Sequence, residues 1–186
     1  MKKLAIMFPG VGYTCVKPLL YYTASAAADK GFEVIRLDYG KEIHEFRGRS
    51  QEDLLPVIEI GEIRAYNQLK GINWKEYDRI LFISKSIGTT IACRLEKRLG
   101  IKVTQFLMTP IPSTIPYLDG IEGCFFSGTG DPYIAEELVR KAAKEYPDKV
   151  GGIFEGCNHS LEKKGDTEGN LANLMAVIKK LQEWMN

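Results

Sequence analysis

A doubly wound, mostly parallel α/β fold is what this sequence predicts, and three observations predict it. Short apolar runs rich in β-branched residues alternate with helix-patterned segments along the whole 186-residue chain. Most of these runs lack a polar/apolar alternation, as strands covered by helices on both faces do. Gly31 and Gly100 stand where a helix should stop and a return strand begin, each able to take the left-handed backbone of a helix end. Repeated strand–helix–strand units imply parallel pairing with right-handed crossovers.

Taken in order, strands are expected at 3–8, 33–38, 79–84, 103–108, 123–127 and 150–154, and helices at 17–30, 51–70, 87–99, 134–145 and 169–185. Pro18 suits a first helical turn, since its missing N–H has no partner there anyway. Ser50 with Asp53 resembles a capping box for the second helix, and Pro56 either kinks that helix or marks its true first turn. The last helix repeats Leu171, Leu174, Ile178 and Leu181 on one face, which predicts that this face lies against the sheet. The length suits one domain spanning 1–186, with no repeat, linker or low-complexity tract inside it.

Composition narrows the function. Twenty-five basic residues against 24 acidic ones give a net charge of +1, which offers no basic field to draw in nucleic acid or an acidic membrane. The apolar run at 4–8 is too short for a signal-peptide core, and nothing approaches a membrane span. Cys15, Cys93, Cys124 and Cys157 form no C-x-x-C pair, so neither a zinc site nor a dithiol motif is expected. A cytoplasmic protein with reduced thiols, no metal and no cofactor is the expectation, and its partner a small neutral or singly charged molecule.

In doubly wound sheets ligands sit at the carboxyl ends of the strands, and four loops there carry chemistry. The third strand runs into Ser84-Lys85-Ser86-Ile87-Gly88 and then a helix. The fifth ends in Ser127-Gly128-Thr129-Gly130-Asp131-Pro132-Tyr133, and the sixth in Glu155-Gly156-Cys157-Asn158-His159-Ser160. The first ends in Phe8-Pro9-Gly10-Val11-Gly12-Tyr13. A serine, an acid and a histidine thus follow one another, each after a strand, and the chain has only two histidines, His44 and His159.

The arrangement resembles the α/β-hydrolase superfamily, in particular its small, lidless esterase and dienelactone-hydrolase-like members. The Ser86 pentapeptide is similar to the nucleophile elbow G-x-S-x-G, with Ser84 in place of the first glycine. The order Ser, Asp, His is the one that family uses. The first loop is similar to its H-G-x-G oxyanion loop, with Pro9 replacing histidine. The resemblance implies a six-stranded sheet of order 2-1-3-4-5-6, flanked by helices and without a cap domain. It implies Ser86 as nucleophile, His159 as base, Asp131 as acid, and the Val11 and Ile87 N–H groups as the oxyanion hole. The activity implied is cleavage of small acyl esters or thioesters through an acyl-enzyme intermediate.

Around that site, the proline-rich segment 109–117 is expected to wall a shallow, open cleft together with Tyr13, Met108 and Tyr133. Lys85 is read as solvent-facing or touching a loop, and His44 as a surface residue in a polar stretch at 41–49. Cys15 and Cys157 are read as packed thiols, although some dienelactone-hydrolase-like proteins use cysteine as nucleophile at the elbow. Two other readings stay open. Gly10 and Gly12 with Asp38 carry ingredients of a dinucleotide-binding fingerprint, although Cys15 stands at the third glycine position. Asp131 has a structural role available as a helix cap, and a hydrolase-like protein that binds without catalysis would keep the same residues.

Overall fold

The structure, a computed structural model, describes residues 1–44, 46 and 54–185. Strands form at Lys3–Phe8 (β1), Glu33–Arg36 (β2), Arg79–Lys85 (β3), Thr104–Met108 (β4), Glu122–Gly128 (β5) and Val150–Phe154 (β6). Helices form at Pro18–Asp29 (α1), Lys41–His44 (α2), Leu54–Leu69 (α3), Ile87–Leu99 (α4), Glu136–Glu145 (α5) and Thr167–Met185 (α6). All strand pairs are parallel, and the order is β2-β1-β3-β4-β5-β6. Strand order therefore reverses beside β1 and β3, and the loops that follow these two strands meet there.

Side-chain alternation along the central strands builds two cores, one on each face. Leu4, Ile6 and Phe8 of β1, with Ile80 and Phe82 of β3, pack under α3 and α4. Ala5, Met7, Leu81 and Ile83 point the other way, toward α1 and α6. Over β4 and β5 a smaller cluster joins Leu107, Leu118, Phe125 and Ala142 of α5. None of the described helices is long and apolar enough to cross a membrane.

The elements differ from expectation mainly at their ends. β2 stops at Arg36, although Leu37 still donates its N–H to the Met7 carbonyl at 3.1 Å; the chain then turns on Asp38, whose Oδ1 accepts the Gly40 N–H at 2.8 Å. β4 starts one residue later than expected, at Thr104, and α5 starts at Glu136 because a turn centred on Pro132 comes first. α6 begins earlier, at Thr167, with Asp166 accepting the Gly169 N–H at 2.9 Å. Gly31 and Gly100 take positive φ, 80° and 62°, at the ends of α1 and α4. The described part of α3 begins at Leu54, which puts Pro56 in its first turn; the Ser50–Asp53 capping box lies outside the described residues.

One expectation is corrected in α6. Val177, Leu181 and Met185 are buried, whereas Leu171 is 62% exposed. The first turns of α6 are tied to the preceding loop instead of the sheet, through Lys163 N–H to Asn170 Oδ1 at 2.7 Å and Asn173 Nδ2 to the Leu161 carbonyl at 3.0 Å. The proline-rich segment is also more ordered than expected. It forms a 3₁₀ stretch, Pro112–Gly120, pinned to α4 by hydroxyl contacts of Thr114 with Thr89 and Thr90, both at 2.7 Å.

Candidate active site

Ser86 stands between β3 and α4 with φ 58° and ψ −126°, in left-handed territory that L residues avoid. Such backbone persists only where the surroundings hold it, and here glycines let the neighbours close in. A Cβ on Gly88 would lie 2.5 Å from both the Phe8 and Pro9 carbonyl oxygens, and one on Gly10 would lie 2.9 Å from Ser86 Cβ. Ser86 N–H donates to the Met108 carbonyl at 3.1 Å, which ties the turn to β4. Ser84 is buried and its hydroxyl donates to the Phe106 carbonyl at 3.2 Å, so a serine is accommodated at the elbow's first position with its polar group satisfied.

The loops after β5 and β6 are laced together. Thr129 N–H donates to Phe154 O and Gly130 N–H to Cys157 O, each at 3.0 Å, while Gly156 N–H donates to Thr129 Oγ1 at 2.7 Å. Gly128 has no room for a side chain, since a Cβ would sit 2.2 Å from the Cys157 carbonyl. This lacing sets Asp131 against His159. Asp131 Oδ2 lies 2.6 Å from His159 Nδ1, and His159 Nε2 lies 2.8 Å from Ser86 Oγ. Asp131 Oδ1 meanwhile accepts the Tyr133 N–H at 2.8 Å, so the carboxylate holds a turn and the imidazole at once. A carboxylate can only accept; the proton therefore sits on Nδ1, leaving Nε2 to receive the serine's.

Burial, with the nearby Lys85 charge, lowers the His159 pKa to about 4, against the opposing pull of Asp131. The imidazole is thus neutral and able to accept a proton at neutral pH. The Tyr133 ring packs edge-on against it at 4.6 Å. Two backbone amides beside the serine are left without an acceptor among the described residues. The loop after β1 closes through Gly10 N–H to Tyr13 O at 3.0 Å and Tyr13 N–H to Gly10 O at 3.3 Å, a pairing that does not use the Val11 N–H. Ile87 is the first residue of α4, where no helical carbonyl precedes its N–H.

No protein-family model matches the chain, and no curated protein does. Solved structures do match it. A serine hydrolase without lid from Xanthomonas campestris superposes with a TM-score of 0.65 at 12% identity, covering 97% of this chain and 81% of its own. The esterase Pf2001 of Pyrococcus furiosus gives 0.63 at 14%, covering 100% and 84%, and a dienelactone hydrolase from Anabaena variabilis gives 0.65 at 16%, covering 98% and 85%. The chain has the α/β-hydrolase fold.

On this hydrolase fold, a cleft of about 250 Å³ opens above Ser86 and His159; Tyr13 and Tyr133, two of the three expected wall residues, line it, together with Val11. Ile111 comes from the proline-rich segment that was expected to wall the cleft. Two further walls were not foreseen, Phe46 from the connection after β2, which reads as polar in the sequence, and Leu54 from the start of α3. Met108 is a correction: it is fully buried among Phe106, Phe126 and the α1–α6 core, and it serves the site through its carbonyl rather than its side chain. The face is set by parity, since Phe106 and Met108 share one side of β4 and Leu107 takes the other. The side chain of His44 lies outside the described residues.

Of the two placements expected for Lys85, facing solvent or touching a loop, the structure gives the second. Lys85 is 0% exposed, with Nζ 4.8 Å from the centre of the Tyr13 ring and without a hydrogen-bond partner among the described residues. The signal was present in the period of two, which puts Lys85 on the face of the buried Leu81 and Ile83.

The dinucleotide reading finds no support in the geometry. The close approach at Gly10 is to Ser86, and Asp38 is engaged with Gly40 and Gln68. Cys15 and Cys157 are both buried away from the elbow, with the Cys15 thiol pushed up to about 11 by burial. Among the described residues no group of His, Cys, Asp and Glu side chains could hold a metal ion.

Proposed function

We propose that this protein is a serine hydrolase that cleaves small acyl esters or thioesters through an acyl-enzyme on Ser86. The observation that carries the reading is the continuous relay from Ser86 Oγ to His159 Nε2 at 2.8 Å and from His159 Nδ1 to Asp131 at 2.6 Å. The hydrolase, esterase and dienelactone hydrolase activities named for its structural neighbours agree with it.

Ser86 Oγ attacks the acyl carbon while its proton passes to His159 Nε2. Asp131 stabilises the imidazolium that forms. Negative charge moves to the former carbonyl oxygen, where the Val11 and Ile87 N–H groups receive it; losing one such donor costs on the order of 3 kcal/mol. Collapse of the tetrahedral species expels the alcohol or thiol, protonated by His159. Water then repeats the sequence on the acyl-enzyme and releases the acid. The relay, the cleft and the oxyanion amides use only side chains and backbone of this chain, and no cofactor enters.

Fluorophosphonate labelling tests the proposal. Wild type is expected to be labelled covalently at Ser86 and to turn over nitrophenyl acetate, with Ser86→Ala unlabelled and at least about 10³-fold slower. A folded wild type that is neither labelled nor active, or a Ser86→Ala variant that remains labelled, sinks it.

A further inference from the structure

We infer that Lys85 is a positioning residue of the reaction: buried beside the cleft that it lines together with His159, its amine sets how readily that histidine carries a proton in the transition state. The inference rests on the hydrolase reading and deepens it.

A lysine side chain with no exposure and no hydrogen-bond partner is costly, because the charged form loses water and the neutral form leaves a donor unmet. Lys85 nevertheless immediately precedes the nucleophile. Its surroundings explain what it can act on. Tyr13 offers its ring face from the loop after β1, held in place by the Leu19 N–H to its hydroxyl at 3.1 Å. Lys85 lines the same cleft as His159, and the charges that act on it are those of Asp131 in the loop after β5 and of Glu162 and His159 in the loop after β6. Among these groups the two that share the reacting proton are Asp131 and His159.

The effect has a sign. A protonated Lys85 repels the imidazolium that forms as Ser86 attacks, which raises the barrier; a neutral Lys85 does not. Burial lowers the Lys85 pKa to about 7, with Asp131 and Glu162 opposing, so the amine changes charge near neutrality while His159 is already unprotonated. The rate is therefore expected to climb as pH passes through the lysine's pKa, not the histidine's. Tyr13 does not confuse this window, since burial raises its pKa to about 12.

The test measures kcat/KM for nitrophenyl acetate, and the rate of labelling by a neutral fluorophosphonate, from about pH 5 to about pH 9 in wild type, Lys85→Met and Lys85→Arg. Wild type should rise through about pH 7. Lys85→Met should lose that rise and exceed wild type at about pH 5.5 by about tenfold, the change one pKa unit on the base represents. At high pH the two should agree within about twofold. Lys85→Arg, permanently charged, should stay at the low-pH rate throughout. Since arginine is bulkier, an independent measurement accompanies it: in protein with ¹³C-labelled lysine, one Cε signal should titrate near neutrality and be missing from Lys85→Met.

An unchanged rise in Lys85→Met, or no lysine titrating below the ordinary range, overturns the inference. So does a change confined to KM for anionic esters, which would make the amine a substrate contact. In these cases Ser86 is still labelled and the hydrolase reading stands. A folded wild type unlabelled at every pH overturns both.

Discussion

Lys85 and Ser86 are neighbours in sequence with opposite demands on the fold. Ser86 needs a strained backbone, worth about 1–3 kcal/mol of stored energy in such positions, and it obtains that from glycines at positions 10 and 88 that admit the first loop. Lys85 is held fully buried at the edge of the cleft although its charge disfavours burial. This second demand has a measurable consequence for stability. The lysine's ordinary pKa of 10.5 falls to about 7 on folding, so between those values the unfolded chain binds more protons than the native one. Stability contributed by this group must therefore rise with pH across that window. Urea unfolding of wild type at about pH 7 and about pH 9.5 should show a gain of a few kcal/mol that Lys85→Met lacks. An equal pH response in both proteins would mean that the amine is not buried in solution.

At the scale of elements, α6 separates residues that one periodic stripe makes look alike. Leu181 is 0% exposed within the core under β1 and β3, while Leu171 is 62% exposed near the loop after β6. Leu181→Ala is expected to cost about 2–5 kcal/mol through the cavity it leaves, and Leu171→Ala no more than about 0.5 kcal/mol. Thermal and urea midpoints check the pair, and equal losses would contradict the placement. The same helix shows what a sequence can reveal. β1, β6 and α4 match their expected bounds, because buried parallel strands are apolar on both faces and Gly100 marks a helix end without ambiguity. That Ser86, Asp131 and His159 come together was legible because each follows a strand, and the ends of parallel strands converge on one edge of the sheet. Met108 and Leu171 were misread for one shared reason: residue type gives a side chain's preference, whereas its face and the reach of its element decide where it goes. For Lys85 the charge left a solvent-facing placement open beside the loop contact it makes with Tyr13, when alternation with Leu81 and Ile83 already turned it inward. Phe46 and Leu54, the latter at the start of α3, were missed because they reach the cleft by tertiary packing, which no local pattern encodes.

For the whole molecule, the sheet order brings four strand ends together, and the space they leave bounds the substrates that the proposed hydrolase could take. The cleft of about 250 Å³ falls below the roughly 300–1,000 Å³ of sites that enclose drug-sized ligands. Its apolar walls, Val11, Phe46, Leu54, Ile111 and Tyr133, suit a short uncharged acyl group. The proline-rich segment does not fold over it, since its 3₁₀ turns are bound to α4 by the Thr114 hydroxyl. A second groove, between Pro18, Leu161, Leu171 and Leu174, shares Tyr13 and Ser160 with the cleft. A long chain leaving the cleft on that side would meet Tyr13, whose hydroxyl is held by Leu19 and whose ring covers Lys85. Displacing that ring would expose a partly charged amine to hydrocarbon, which is unfavourable. Across nitrophenyl esters from acetate to palmitate, kcat/KM should accordingly be highest for acetate or butyrate and fall by about tenfold or more toward the long chains, a loss of at least about 1.4 kcal/mol in transition-state binding. Preference for palmitate, weakened by Leu171→Asp while acetate turnover is unchanged, would instead assign the second groove to the acyl chain and require Tyr13 to move aside.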